Sequence, residues 1–187
     1  MDKEELIARL ESVKFQMVAD CTAIVEGNEI NIEDLLEVTF HKKKEIAFRA
    51  AWMLEYIVTH HPMQFYEGIE GFLLLFPSQK NPSAMRHYAK ILALMTERKS
   101  SLLYKEALSR LNIEPVIEVM FIWLVDPETL VATKVHCMQA LANLTPQYDW
   151  IKEDLLETVD YLMGIESIAF FARAKMVKKQ LKKGVEK

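Results

Sequence analysis

The sequence predicts an all-α protein, and three observations predict it. Apolar residues recur at intervals of three and four along nearly the whole chain, the period of a helix with one buried face. No segment shows the sustained apolar–polar alternation of a half-buried strand. The chain has five glycines and six prolines in 187 residues, about half the average usage, which leaves few tight turns for hairpins. Hydrophobic residues at 51% and charged residues at 27% belong to a globular chain and exclude general disorder.

The elements follow in order. Leu6, Ile7, Leu10, Val13, Met17 and Ile24 keep helical spacing, so one long helix is expected over 2–26, ended by Gly27-Asn28. Asn31, with Asp34 three residues on, opens a helix over 31–40. In the helix over 43–60, Ile46, Ala47, Ala50, Leu54 and Ile57 form one apolar stripe, and Trp52, Met53 and Tyr56 form a second. A helix apolar on two sides must be covered on two sides. His61-Pro62 precedes a helix over 63–75, and Asn81-Pro82 reads as N-cap and first residue of a helix over 82–99. A helix over 101–111 follows, then one over 115–125 after Glu114-Pro115. Asp126-Pro127 is expected to open a helix over 127–144 in the same way. The last two helices are expected over 148–163 and 165–182. The run Lys175, Lys178, Lys179, Lys182, Lys183 suits the negative end of the last helix dipole.

The helices repeat. A short apolar helix ends near Phe40, Phe76, Val125 or Met163, and a basic residue follows inside a longer helix: Arg49, Arg86, Lys134 or Arg173. Ile46-Ala47-Phe48-Arg49-Ala50 aligns with Val131-Ala132-Thr133-Lys134-Val135. Ser100 to Leu111 reads as an inserted helix. The segment Phe121 to Pro127, followed by Val131 to Val135, resembles the HEAT repeat family; Leu35 to Val38 with Glu45 to Ala51 is the next match. The family belongs to the HEAT-like and armadillo-like helical repeats. The resemblance covers roughly residues 31–183. It implies a short right-handed α-solenoid of about four antiparallel helix pairs, with residues 1–27 as an N-terminal capping helix and the whole chain, 1–187, as a single all-α domain.

One string has the look of a catalytic loop. Phe76-Pro77-Ser78-Gln79-Lys80-Asn81-Pro82 is similar to the signature loop of the fumarase and adenylosuccinate lyase superfamily, S-S-x-M-P-x-K-x-N. Phe76 stands for the Met, Lys80 lies three residues after Pro77 where the motif has two, and no serine precedes it. The resemblance implies a lyase-like enzyme around Ser78, Lys80 and His87. The competing expectation is a helix–helix loop with Asn81-Pro82 starting a helix. Of the five histidines, His41, His60, His61, His87 and His136, no two have a metal-ligand spacing. His87 and His136 are expected on the surface or in a groove. Cys21 and Cys137 form no metal or disulfide framework, and Cys137 reads as a small buried hydrophobe. No cofactor is expected.

Charge runs in blocks. Residues 1–40 hold three basic and ten acidic residues, 41–110 eleven and six, 111–166 two and ten, and 167–187 seven and one, for a net −4. An acidic chain argues against nucleic-acid binding, which relies on phosphate neutralisation. The charged N-terminus is not that of a signal peptide and no apolar run approaches a membrane span, so a cytoplasmic setting is expected, with no membrane partner. The recurring basic residues have two readings. They pair with carboxylates of adjacent repeats, with Asp126, Glu128 or Glu45 as partners, or they line a groove. The second reading defines a non-catalytic protein- or peptide-binding scaffold whose groove carries Arg49, Met53, Tyr56, Arg86, His87, Lys90, Lys134, Met138 and Arg173. A nucleic-acid-binding HEAT-like protein would use the same ladder. Either a monomer or a homodimer is compatible with the sequence.

Overall fold

The computed structural model describes residues 1–13 and 17–183, and these are organised as twelve α-helices and one 3-10 turn with no strand among them. The chain is all-α. Asp2 caps α1 (Lys3–Ser12), its carboxylate accepting from the Glu5 backbone N–H at 2.8 Å. Val13 then takes extended backbone, φ −61° and ψ 126°. The expected continuous helix over 2–26 is therefore two helices, the second being α2 (Met17–Gly27); residues 14–16 lie outside the described residues. Two helices whose apolar faces keep step read as one in a periodicity pattern. Val13 is β-branched and holds the helix weakly, and its side chain is buried where the backbone leaves it.

The chain divides into two compact units. The first comprises Met1–Tyr88 and Ser101–Leu111, the second Ala89–Ser100 and Asn112–Lys187. At the centre of the first is α4 (Lys44–His60), against which α1, α2, α3 (Ile32–Val38) and α5 (Pro62–Tyr66) pack. The stripe Ile46, Ala47, Ala50, Leu54 and Ile57 is buried throughout, and its alanines let neighbouring helices approach. Asn31 caps α3 as expected, accepting from the Asp34 N–H at 3.0 Å.

The helix expected over 63–75 divides into α5 and α6 (Ile69–Leu75) at Glu67-Gly68. Gly68 is needed there, because a Cβ would lie 2.2 Å from Ile32 Cγ2. Phe65, Phe72, Phe76 and Tyr88 fill this core, with Phe72 ring centroids 5.7 Å from both Phe65 and Phe76 and 4.9 Å from Tyr88. Tyr88 belongs to α7 (Pro82–Met95), and its hydroxyl shares a 2.7 Å hydrogen bond with Thr39. The helix expected over 101–111 is α8 (Leu102–Arg110). It packs on α5, and Tyr104 donates from its hydroxyl to the Val58 carbonyl at 2.5 Å.

In the second unit α10 (Val131–Leu144) is the centre. It packs against α9 (Glu114–Val125), α11 (Trp150–Leu162) and α12 (Ile168–Lys183). It buries Cys137, Met138, Ala140, Leu141, Ala142 and Leu144. Asn143 donates to the Ala93 carbonyl at 3.2 Å and reaches Thr96 Oγ1 at 3.3 Å. The expected start of α10 is corrected. Asp126-Pro127 does not open it: Asp126 ends α9 in extended backbone, and its carboxylate accepts from the Glu128 N–H at 2.9 Å. That local turn competes with helix formation, and α10 begins four residues beyond Pro127, at Val131.

Candidate functional site

The nine residues expected along a groove fall into different surroundings. Met53 and Met138 are fully buried, so they pack rather than present a surface. Lys134 is 1% exposed and His87 2% exposed; the expectation of a surface or groove position for His87 is corrected. His87 lies on α7 with Nδ1 2.6 Å from a Glu55 carboxylate oxygen, its ring 5.3 Å from that of Phe48. Pairing with a carboxylate and an aromatic face is what allows a histidine inside a helical core. Its Nε2 is buried with no hydrogen-bond partner.

The recurring basic residues are used in four ways. Lys134 donates to Glu166, in the connection from α11 to α12, at 2.5 Å. Lys134 is buried and Glu166 part-buried, and the acid is Glu166 rather than the expected Asp126 or Glu128. Arg49 of α4 donates to the Leu10 carbonyl of α1 at 2.6 Å, a backbone partner in place of Glu45. A free carbonyl near the end of α1 is one of the orphan acceptors that every helix C-terminus leaves. Arg173 donates to Gln139 Oε1 at 3.3 Å. Arg86 is exposed and Lys90 half-buried. Their shared sequence spacing does not give these residues a common role.

Tyr56 is the member of the set with ordered, half-exposed neighbours. Trp52, Tyr56 and His60 are four residues apart and so share one face of α4. Their rings stack, Trp52 to Tyr56 at 5.6 Å and 19°, Tyr56 to His60 at 4.1 Å and 23°. Glu26 of α2 holds the row from below. One carboxylate oxygen accepts from the Tyr56 hydroxyl at 2.9 Å and lies 2.8 Å from His61 Nε2. The hydrogen bond from His61, then that from Tyr56, holds the Glu26 carboxyl below its ordinary value. The same bond to Glu26 pushes the Tyr56 hydroxyl up. Sequence reasoning found Trp52 and Tyr56 as an apolar stripe and missed their joining with Glu26, His60 and His61. The spacing 52, 56, 60 was the available signal.

The lyase-like string joins α6 to α7. Phe76 is buried and opens the 3-10 turn Phe76–Ser78. Gln79 is buried too; its amide donates to the Thr39 carbonyl at 3.2 Å and its oxygen accepts from the Asn81 N–H at 3.0 Å. Asn81 caps α7, accepting from Ser83 at 3.0 Å and Ala84 at 3.4 Å. Ser78 and Lys80 are exposed. Burial pushes the Cys21 thiol up to about 11 and the Cys137 thiol further, so both stay protonated at neutral pH. Among the described residues no group of three or more His, Cys, Asp or Glu side chains is placed to hold a metal ion. No helix among them is long and apolar enough to cross a membrane. An open cavity of about 490 Å³ in the first unit is lined in part by Glu29, Asn31, Gln64 and Glu67; Gln64 is committed to the Ile30 carbonyl at 3.1 Å.

Compared with the models of known protein families and with curated proteins, the chain matches none.

Proposed function

We propose that this chain is a non-catalytic scaffold that binds a protein or peptide. The carrying observation is the ordered aromatic row Trp52–Tyr56–His60, half-exposed on α4 and fixed by Glu26. Trp and Tyr give large contact area with few torsions to freeze, and they dominate the energetics of protein interfaces. A row already held in place binds without first losing much side-chain entropy. The repeat part of the proposal is HEAT-like helix pairs stacked in a short right-handed solenoid, with residues 1–27 as the cap. Neighbouring packing supports it: α3 lies against α4, α9 against α10 and α11 against α12, while Phe72 of α6 meets Tyr88 of α7. The lyase-like alternative has less support, because His87 is engaged by Glu55 within the core whereas Ser78 and Lys80 face solvent. A basic ladder for nucleic acid is weakened by the engagement of Lys134 with Glu166 and Arg49 with Leu10.

Affinity capture from a source-cell lysate, read by mass spectrometry, tests the proposal with wild-type, Trp52→Ala, Tyr56→Ala and Lys80→Ala baits of verified melting temperature. The aromatic variants are expected to lose a protein that wild type and Lys80→Ala retain. Equal capture by all four baits overturns the assignment of the row.

A further inference from the structure

We propose that the outward face of α12 docks a helix of another protein, apolar at one end and acidic at the other. Phe170, Ala174, Val177 and Leu181 form the buried stripe of α12, the side on which α10 and α11 pack. At 3.6 residues per turn the opposite side carries Ile168, Ala172 and Met176, together with Lys175 and Lys179, and Phe171 and Lys182 lie along its edge. Ile168 is 88% exposed and Met176 63%. Ile165, just before the helix, is exposed as well. Clustered apolar exposure of this kind marks an interaction surface. The face changes character along its axis, apolar in the first turns and basic in the last. Lys175 joins the halves, its Nζ 4.5 Å above the Phe171 ring. Lys178 is paired with Asp160, but among the described residues no carboxylate pairs with Lys175, Lys179 or Lys182.

Charge decides the occupant. Residues 167–187 carry seven basic side chains and one acidic, so the covering surface must be acidic opposite the last turns and apolar opposite the first. A helix lying in a membrane separates its apolar and charged sides around its circumference. Here Lys175 and Lys179 share a side with Ile168 and Ala172, and sinking that side into lipid would bury two cations. The chain's own acidic α1 is also poorly suited, because Glu5 and Glu11 are already paired with Arg9 and Lys43. A foreign helix with its glutamates free meets both halves of the face.

The test is fluorescence anisotropy on the full chain. One labelled synthetic helix has leucines in its first half and glutamates in its second; its counterpart has lysines for the glutamates. The acidic peptide is expected to bind and the basic one not. Ile168→Ser and the double change Lys175→Glu/Lys179→Glu should each weaken binding by about tenfold or more, as loss of a central interface group does. Added salt should weaken it further. Tyr56→Ala should leave it unchanged, which separates this face from the aromatic row, and circular dichroism confirms that each variant folds. Absent binding, or equal binding of the two peptides, overturns the proposal. So does binding to phosphatidylserine vesicles or self-association in sedimentation, if Ile168→Ser abolishes it while the acidic peptide fails to bind.

Discussion

Lys134 and Arg49 align in the sequence, yet one has a part-buried carboxylate as partner and the other a backbone carbonyl. The difference sets what each contributes. Replacing Lys134 with Met keeps much of the apolar stem but leaves the Glu166 carboxylate alone in a poorly hydrated site. Breaking a buried pair costs about 3–5 kcal/mol; Glu166 lies at the edge, its side chain 15% exposed, so the loss should fall at the lower end. Lys134→Met/Glu166→Gln should recover much of it, because the stranded charge is gone. Arg49→Met loses a charged hydrogen bond to a neutral acceptor, worth about 1.5–3 kcal/mol. Thermal melts should rank Lys134→Met below Arg49→Met. The reverse order would mean that the Glu166 pair contributes less than the α4–α1 contact.

At the scale of elements, two junctions depend on single residues. Gly68 separates α5 from α6 where Ile32 leaves no room for a side chain. Gly68→Ala should therefore cost about 1–3 kcal/mol, the range for overpacking. In Gly68→Ala/Ile32→Ala the clash is removed, so denaturant titration should show a smaller loss than the two single losses combined. Asn81 caps α7, and an N-cap replaced by Ala costs about 1 kcal/mol. Asn81→Ala should lower the melting temperature while Ser78→Ala, at an exposed position, leaves it unchanged. A larger effect at Ser78 would indicate a role for the lyase-like string beyond joining helices.

At the scale of the whole molecule, the first unit carries two tyrosines that report on its integrity in alkali. Burial pushes both Tyr88 and Tyr104 up to about 12 from the ordinary value of 10. A folded value above the unfolded one means that the contribution is fully present below about pH 10. It is lost as pH rises toward 12, when the unfolded chain releases protons that the folded chain retains. Ultraviolet titration should therefore show these two of the six tyrosines ionising only together with unfolding. Tyr104→Phe removes one such group, so its alkaline transition should be shallower, although the hydrogen bond to Val58 is also lost. Ionisation of all six near pH 10 without loss of helical circular dichroism would contradict this burial.

The sequence by itself determined the all-α class, the helix caps at Asn31 and Asn81, the buried stripe of α4 and the helix α8. These follow from short-range patterns: helical period, capping oxygens and proline positions act within a few residues of one another. It did not determine the break at Val13, because two helices in phase carry the same periodicity as one. Nor did it determine the need for glycine at position 68, between α5 and α6, where Ile32, far away in sequence, occupies the space of a Cβ. The start of α10 is not legible either: Asp-Pro serves equally as an opening cap or as a closing turn, and here Asp126 closes α9 with a turn to the Glu128 N–H. Charged residues were the least legible. Arg49, His87 and Lys134 could be recognised as recurring or singular, but whether each faces water or a buried partner depends on Leu10, Glu55 and Glu166, between 32 and 39 positions away. A charge is stabilised by whatever lies within a few ångströms, and only the tertiary structure decides what that is.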